Sequence, residues 1–142
     1  MTDPEFLRAL ENCDLPEQQF GHAGHVRAAY LYLQQGDFAT ALLRLRRSIR
    51  DYATSLGRPG RYHETMTVAY LALIQQHIGE RGDGGGWPGF AQANPELFER
   101  ELLLRFYPRA QLESDLARKL FLLPHPTPNG RTACASIRHP GG

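Results

Sequence analysis

The side chains best suited to hold a transition metal, or to move a proton near neutral pH, fall in two short stretches: Phe20-Gly21-His22-Ala23-Gly24-His25 and Tyr62-His63-Glu64-Thr65. On a helix, the H-x-x-H spacing sets His22 and His25 on one face, where both rings can approach one ion. His63 and Glu64 are adjacent and point roughly 100° apart, so they are expected to have different roles. The expected metal ligands are His22, His25, His63 and Glu64, and the catalytic candidates are Glu64 and His63. Each residue also has an ordinary alternative. His22 and His25 suit helix capping or a buried hydrogen bond, and a first-turn carboxylate such as Glu64 is favoured by the helix dipole.

Helices must position these groups. Thr2 and Pro4 open a first helix striped by Phe6, Leu7 and Leu10. A second is expected from near His22 to Gln35, with Val26, Ala29, Tyr30 and Leu33 at helical spacing and Gly36 as its stop. Asp37 caps a third, Phe38 to Leu56, whose arginines Arg44, Arg46, Arg47 and Arg50 read as a solvated face. A fourth begins at Tyr62 or His63 and is stopped by Gly79, after which Gly82-Asp83-Gly84-Gly85-Gly86 reads as a flexible linker. Asn94-Pro95-Glu96 announces a helix from Leu97 to Phe106, and another follows Pro108 through Phe121.

No segment alternates like a strand, so the fold expected is all-α: a single-domain bundle of about five or six helices over residues 1–123, with a Pro- and Gly-rich tail, 124–142, expected to be disordered. His125 and His139 fall in that tail and carry little weight. The third helix spans about 28 Å at 1.5 Å per residue, enough to bring the chain back to the end where it started. The starts of the second and fourth helices can then meet at one pocket. His77 lies about 21 Å along the fourth helix from His63 and cannot share it.

With 142 residues, 42% of them hydrophobic, the chain suits one core. The near balance of 16 Lys plus Arg against 15 Asp plus Glu provides no field that would recruit nucleic acid or an anionic membrane. Cys13 and Cys134 cannot build a disulfide framework or a zinc ribbon. No apolar run approaches the roughly 20 residues needed to cross a bilayer, and the N-terminal residues carry no signal-peptide pattern, so a cytoplasmic location is expected.

The pattern Phe20-x-His22-x-x-His25-Val26, then Tyr62-His63-Glu64-Thr65-x-Thr67, then Arg105-x-Tyr107 and Leu112-x-Ser114-x-x-Ala117-Arg118, resembles a family of small helical bacterial proteins mostly described as hypothetical. The likeness covers roughly residues 18–124. It implies a helical fold with His22, His25, His63 and Glu64 as matching positions, and brings no settled activity or cofactor.

The functional expectation is a metal-dependent enzyme acting on a small-molecule substrate. His22, His25 and His63 would hold zinc, iron or copper, and Glu64 would be a fourth ligand or the base. Arg27, Arg61 and Arg105 are candidates for steering an anionic substrate. Tyr30, Tyr32, Tyr62 and Tyr70 are candidates for the pocket wall, and Thr65 and Thr67 for supporting hydrogen bonds. Two other classes stay open: a metal-free small-ligand binder or acid/base enzyme using His25 and Glu64, and a helical protein-interaction module.

Overall fold

The structure, a computed structural model, describes residues 1–125. Those residues form an all-α fold in which seven α-helices alternate with 3-10 turns: α1 (Asp3–Glu11), α2 (His22–Gln35), α3 (Phe38–Ser55), α4 (Glu64–Arg81), α5 (Trp87–Ala93), α6 (Arg109–Leu112) and α7 (Asp115–Lys119). Local chemistry sets most starts. Thr2 and Glu5 make a reciprocal capping box on α1, Asp37 caps α3 through the Thr40 N–H, and Ser114 caps α7 through the Ala117 N–H.

The core forms where α2 packs between α3 and α4. Leu10 from α1, Val26 and Ala29 from α2, Leu45 and Ile49 from α3, and Leu71 and Ile74 from α4 are all buried in one cluster. A smaller cluster of Leu103, Tyr107 and Leu112 sits against Met66 and Ala69. Tyr70 and Leu73 pack against both clusters. Helix α2 carries buried residues at nearly every position from Val26 to Tyr32, so its whole circumference is covered.

Several stretches differ from the sequence reading: α4 runs through Gly79 to Arg81 and ends at Gly82, and the last expected helix, after Pro108 through Phe121, is the two short helices α6 and α7. The Gly82–Gly86 segment is a defined turn rather than a loose linker. Gly82, Gly84, Gly85 and Gly86 take positive φ, a region that side chains bearing Cβ rarely enter. At Gly84 a Cβ would fall 2.3 Å from the Phe90 backbone nitrogen, and the Asp83 carbonyl accepts from the Tyr30 hydroxyl at 2.8 Å. The helix expected from Leu97 to Phe106 is instead two 3-10 turns, Pro95–Phe98 and Leu102–Arg105. A continuing helix would give the Leu97 carbonyl to the residue 101 N–H; here that oxygen accepts from His22 Nε2 at 2.9 Å. The arginine row of α3 is also more engaged than a solvated face. Arg44 lies over the Tyr32 ring, Arg50 over the Tyr62 ring, and Arg46 pairs with Glu64.

Of the expected tail, Pro124 and His125 lie within the described residues, and 126–142, with His139, lie outside them. The segment following α7 is tied across the start of α4. The fully buried Thr65 donates to the Leu120 carbonyl at 2.6 Å and accepts from the Leu122 N–H at 3.1 Å. Tyr107 donates to the Leu122 carbonyl, Gln111 donates to the Leu123 carbonyl, and the Gln111 amide oxygen accepts from the His125 N–H. Thr65→Val keeps the shape but strands two backbone groups, and is expected to lower unfolding free energy by about 1–3 kcal/mol. Urea denaturation measures that loss, and hydrogen exchange should show reduced protection at Leu122.

Candidate functional site

The starts of α2 and α4 meet at one pocket of about 380 Å³, at the small end of the roughly 300–1,000 Å³ range for ligand sites. Its walls come from five places: Glu17 and Phe20 before α2; Gly21, His22, His25, Val26 and Ala29; the α3 face of Leu45, Ile49, Tyr52, Ala53 and Leu56; Arg58 and Arg61 in the turn before α4; and Tyr62, His63, Met66, Thr67 and Tyr70. The convergence follows from helix length. Helix α3, at 18 residues, runs the full depth of the bundle and returns the chain to the same end.

His25 has the geometry of a proton acceptor. Its Nδ1–H donates to the Gly21 carbonyl one turn earlier at 2.8 Å, which fixes the tautomer and leaves Nε2 with its lone pair. Nε2 has no hydrogen-bond partner among the described residues. The ring is clamped against Phe20, centroids 4.1 Å apart and planes 22° from parallel, and Phe20 in turn meets Tyr52 edge-on. Gly24 permits this clamp: a Cβ there would sit 2.7 Å from the Gln19 carbonyl oxygen and 3.0 Å from the Phe20 ring. Burial pushes the His25 pKa below 6.5, with the neighbouring His22 adding to the effect and the Gly21 hydrogen bond opposing it. The ring is therefore neutral at physiological pH.

His22 and His63 line the same pocket; His22 has one nitrogen bonded, as His25 does, and His63 has both. His22 Nε2–H donates to the Leu97 carbonyl, and the ring meets Tyr70 edge-on at 5.1 Å. His63 is the N-cap of α4: Nδ1 accepts from the Met66 N–H at 3.1 Å while Nε2–H donates to the Leu112 carbonyl at 2.7 Å. Both of its nitrogens are thus occupied. Burial lowers the His63 pKa below 6.5, the Leu112 hydrogen bond opposes, and the positive charge of Arg118 lowers it further.

Glu64 does not line the pocket. Its carboxylate takes two hydrogen bonds from Arg46, at 3.0 and 2.5 Å, and a third from the Tyr62 hydroxyl at 2.5 Å. Burial raises the Glu64 pKa, but the Arg46 and Tyr62 hydrogen bonds and the arginine charge outweigh it and hold the carboxyl below its ordinary value. The Tyr62 hydroxyl is pushed up to about 12, by burial first and then by donating to Glu64. Among the described residues no three His, Cys, Asp or Glu side chains gather closely enough to hold a metal ion. His22, His25, His63 and Glu64 are therefore not drawn around one centre: one carboxylate and both nitrogens of one ring are spent on holding α4.

Of the expected tyrosine wall, Tyr62 and Tyr70 line the pocket, whereas Tyr30 reaches Asp83 and Tyr32 bonds Glu11 and Ser48. The Tyr70 hydroxyl is buried and has no partner among the described residues. Thr67 donates to the His63 carbonyl and Thr65 to the Leu120 carbonyl, so both are structural. Of the three arginines, Arg27 pairs with Asp3 and covers the Phe6 ring, Arg105 pairs with Glu99, and Arg61 alone is at the pocket. His77 lies elsewhere, against Asn94 and Glu96. Sequence reading missed Phe20 as a clamp, and Tyr52 and Arg58 as wall residues; the Phe20-to-His25 spacing was a signal for the first and the nearness of Arg58 to Tyr62 for the last, whereas Tyr52 lies on α3 and reaches the pocket only in three dimensions.

No protein-family model, no curated protein and no solved structure matches the chain. No helix among the described residues is long and apolar enough to cross a membrane.

Because His25 and His63 both have folded pKa values below 6.5, the unfolded chain binds more protons between those values and 6.5. Their contribution to stability is complete above about pH 6.5 and is lost as pH falls through the folded values. Urea midpoints measured from pH 8 to pH 5 should therefore fall on the acid side. His63→Ala should cost about 1–3 kcal/mol at pH 7.5 through the lost cap and the stranded Leu112 carbonyl, and should flatten part of the pH dependence.

Proposed function

We propose that the chain is a metal-free small-molecule-binding protein whose pocket performs acid/base chemistry through His25. The observation that carries this reading is the open Nε2 lone pair of a neutral, clamped imidazole on the wall of a mostly apolar pocket. Nε2 would accept a proton from an O–H, N–H or acidified C–H group of the ligand and later return it. The imidazolium formed in between would keep its Nδ1–H on the Gly21 carbonyl, a weaker support than a carboxylate would give.

Glu64 enters this reading only as a positioning residue, fixing Tyr62 beside the pocket. A metal held by all three histidines would require His63 to release the Met66 N–H or the Leu112 carbonyl, undoing the start of α4.

The probe 2-naphthol, an apolar ring carrying one hydroxyl, tests the reading. It should shift the NMR signals of the Phe20, His25 and Tyr70 rings, and its affinity should fall as His25 is protonated on acidification. In His25→Phe, which retains a ring against Phe20, the pH dependence should vanish. Binding that does not vary with pH in the native protein, or no shift at these rings, overturns the proposal. Separately, one equivalent of zinc should leave the thermal midpoint unmoved; a stoichiometric rise that His25→Phe abolishes would restore the metal reading.

A further inference from the structure

We infer that the pocket selects an anionic ligand: a small molecule with an apolar body and one carboxylate or similar oxyanion, the anion seated at Arg61. The inference deepens the pocket assignment and does not depend on His25 being a base.

The charged side chains of the wall, apart from the histidines, are Glu17, Arg58 and Arg61. Glu17 and Arg58 neutralise each other in an exposed pair at 3.1 Å that joins the two loops flanking the pocket. That leaves Arg61, an exposed guanidinium with no ion-pair or hydrogen-bond partner among the described residues, as the uncompensated charge of the wall. Arg46, Arg81 and Arg105 are each bonded to a carboxylate, whereas Arg61, like Arg8, Arg47, Arg50 and Arg100, is not; what sets Arg61 apart from these is its place on the pocket wall. Arg61 is offered a carboxylate by no neighbour.

The two helix starts differ in the same sense. The first turn of α4 is capped by His63, whereas α2 begins at Gly21 with no side-chain cap, so the positive end of a 14-residue helix is left open on the pocket wall. Around this pocket the unmatched donors are Arg61 and the first-turn N–H groups of α2, beside the open acceptor at His25 Nε2, while the remaining wall from Phe20, Val26, Leu45, Ile49 and Met66 is apolar. A guanidinium fork matches a carboxylate in geometry as well as charge. The exposed Glu17–Arg58 pair is weak enough to yield Arg58 as a second ligand to the same anion.

Titration of 2-naphthoate against its neutral isostere 2-naphthamide, at pH 7.5 and low salt, followed by NMR shifts of the pocket rings, tests the inference. The naphthoate should bind about tenfold more tightly, and the difference should shrink in 0.5 M NaCl. Arg61→Gln should abolish the preference while leaving naphthamide affinity unchanged, and Glu17→Gln, which removes a competing carboxylate, should tighten naphthoate alone. Equal or weaker binding of the naphthoate, a preference that survives in Arg61→Gln, or failure of both compounds to bind overturns the inference. A retained naphthoate preference together with pH-independent 2-naphthol binding would leave the anion site standing and remove only the His25 base.

Discussion

Helix α2 has no solvent face through its middle, and this constraint organises the protein. A helix covered on all sides must satisfy each polar group it carries from within the fold, since water is not available to do so. The partners are correspondingly distant in sequence: Tyr30 finds the Asp83 carbonyl, Tyr32 finds Glu11 and Ser48, and His22 finds the Leu97 carbonyl. Each bond fixes another part of the chain against α2. The acceptor for His25 is local, the Gly21 carbonyl, so that ring ties down no distant part of the chain.

Much of the bundle was legible in the sequence because its signals are local. The start of α1 follows from Thr2 and Pro4, the start of α3 from Asp37, and the course and end of α2 from the spacing of Val26, Ala29, Tyr30 and Leu33 and from Gly36. The meeting of two helix starts was legible too, because it follows from the length of α3. The roles of His63 and Glu64 were not. Their divergence follows from adjacency on a helix, but what lies in each direction is decided by residues far along the chain: the Leu112 carbonyl for one, Arg46 for the other. The failed helix after Leu97 has the same origin, a carbonyl claimed by a histidine 75 residues earlier. The glycine turn was misread because composition reports flexibility in the unfolded chain, while positive φ values and contact with Phe90 make the same residues a tight folded corner.

The polar groups around the pocket divide between those spent on structure and those left with a free site. Arg46, Glu64 and Tyr62 form a half-buried network behind the wall, and removing one member would leave its partners short of hydrogen bonds in a partly desolvated setting. His63 and Thr67 lock the first turn of α4. His25, Tyr70 and Arg61 sit on the same wall without such duties, and their freedom depends on the rigidity of the groups behind them.

The bonds that fasten the start of α4 to α6 and to the segment after α7 join residues 49 to 57 positions apart: His63 with Leu112, Thr65 with Leu120 and Leu122. During synthesis, α1 to α3 can pair through short-range contacts as they emerge, but the cap at His63 cannot engage its distant acceptor until residue 112 has left the ribosome, nor Thr65 its own until residue 122. One half of the pocket wall is thus secured early and the other only when the C-terminal segment arrives, which makes a nascent chain shorter than that a scaffold with an unfastened wall.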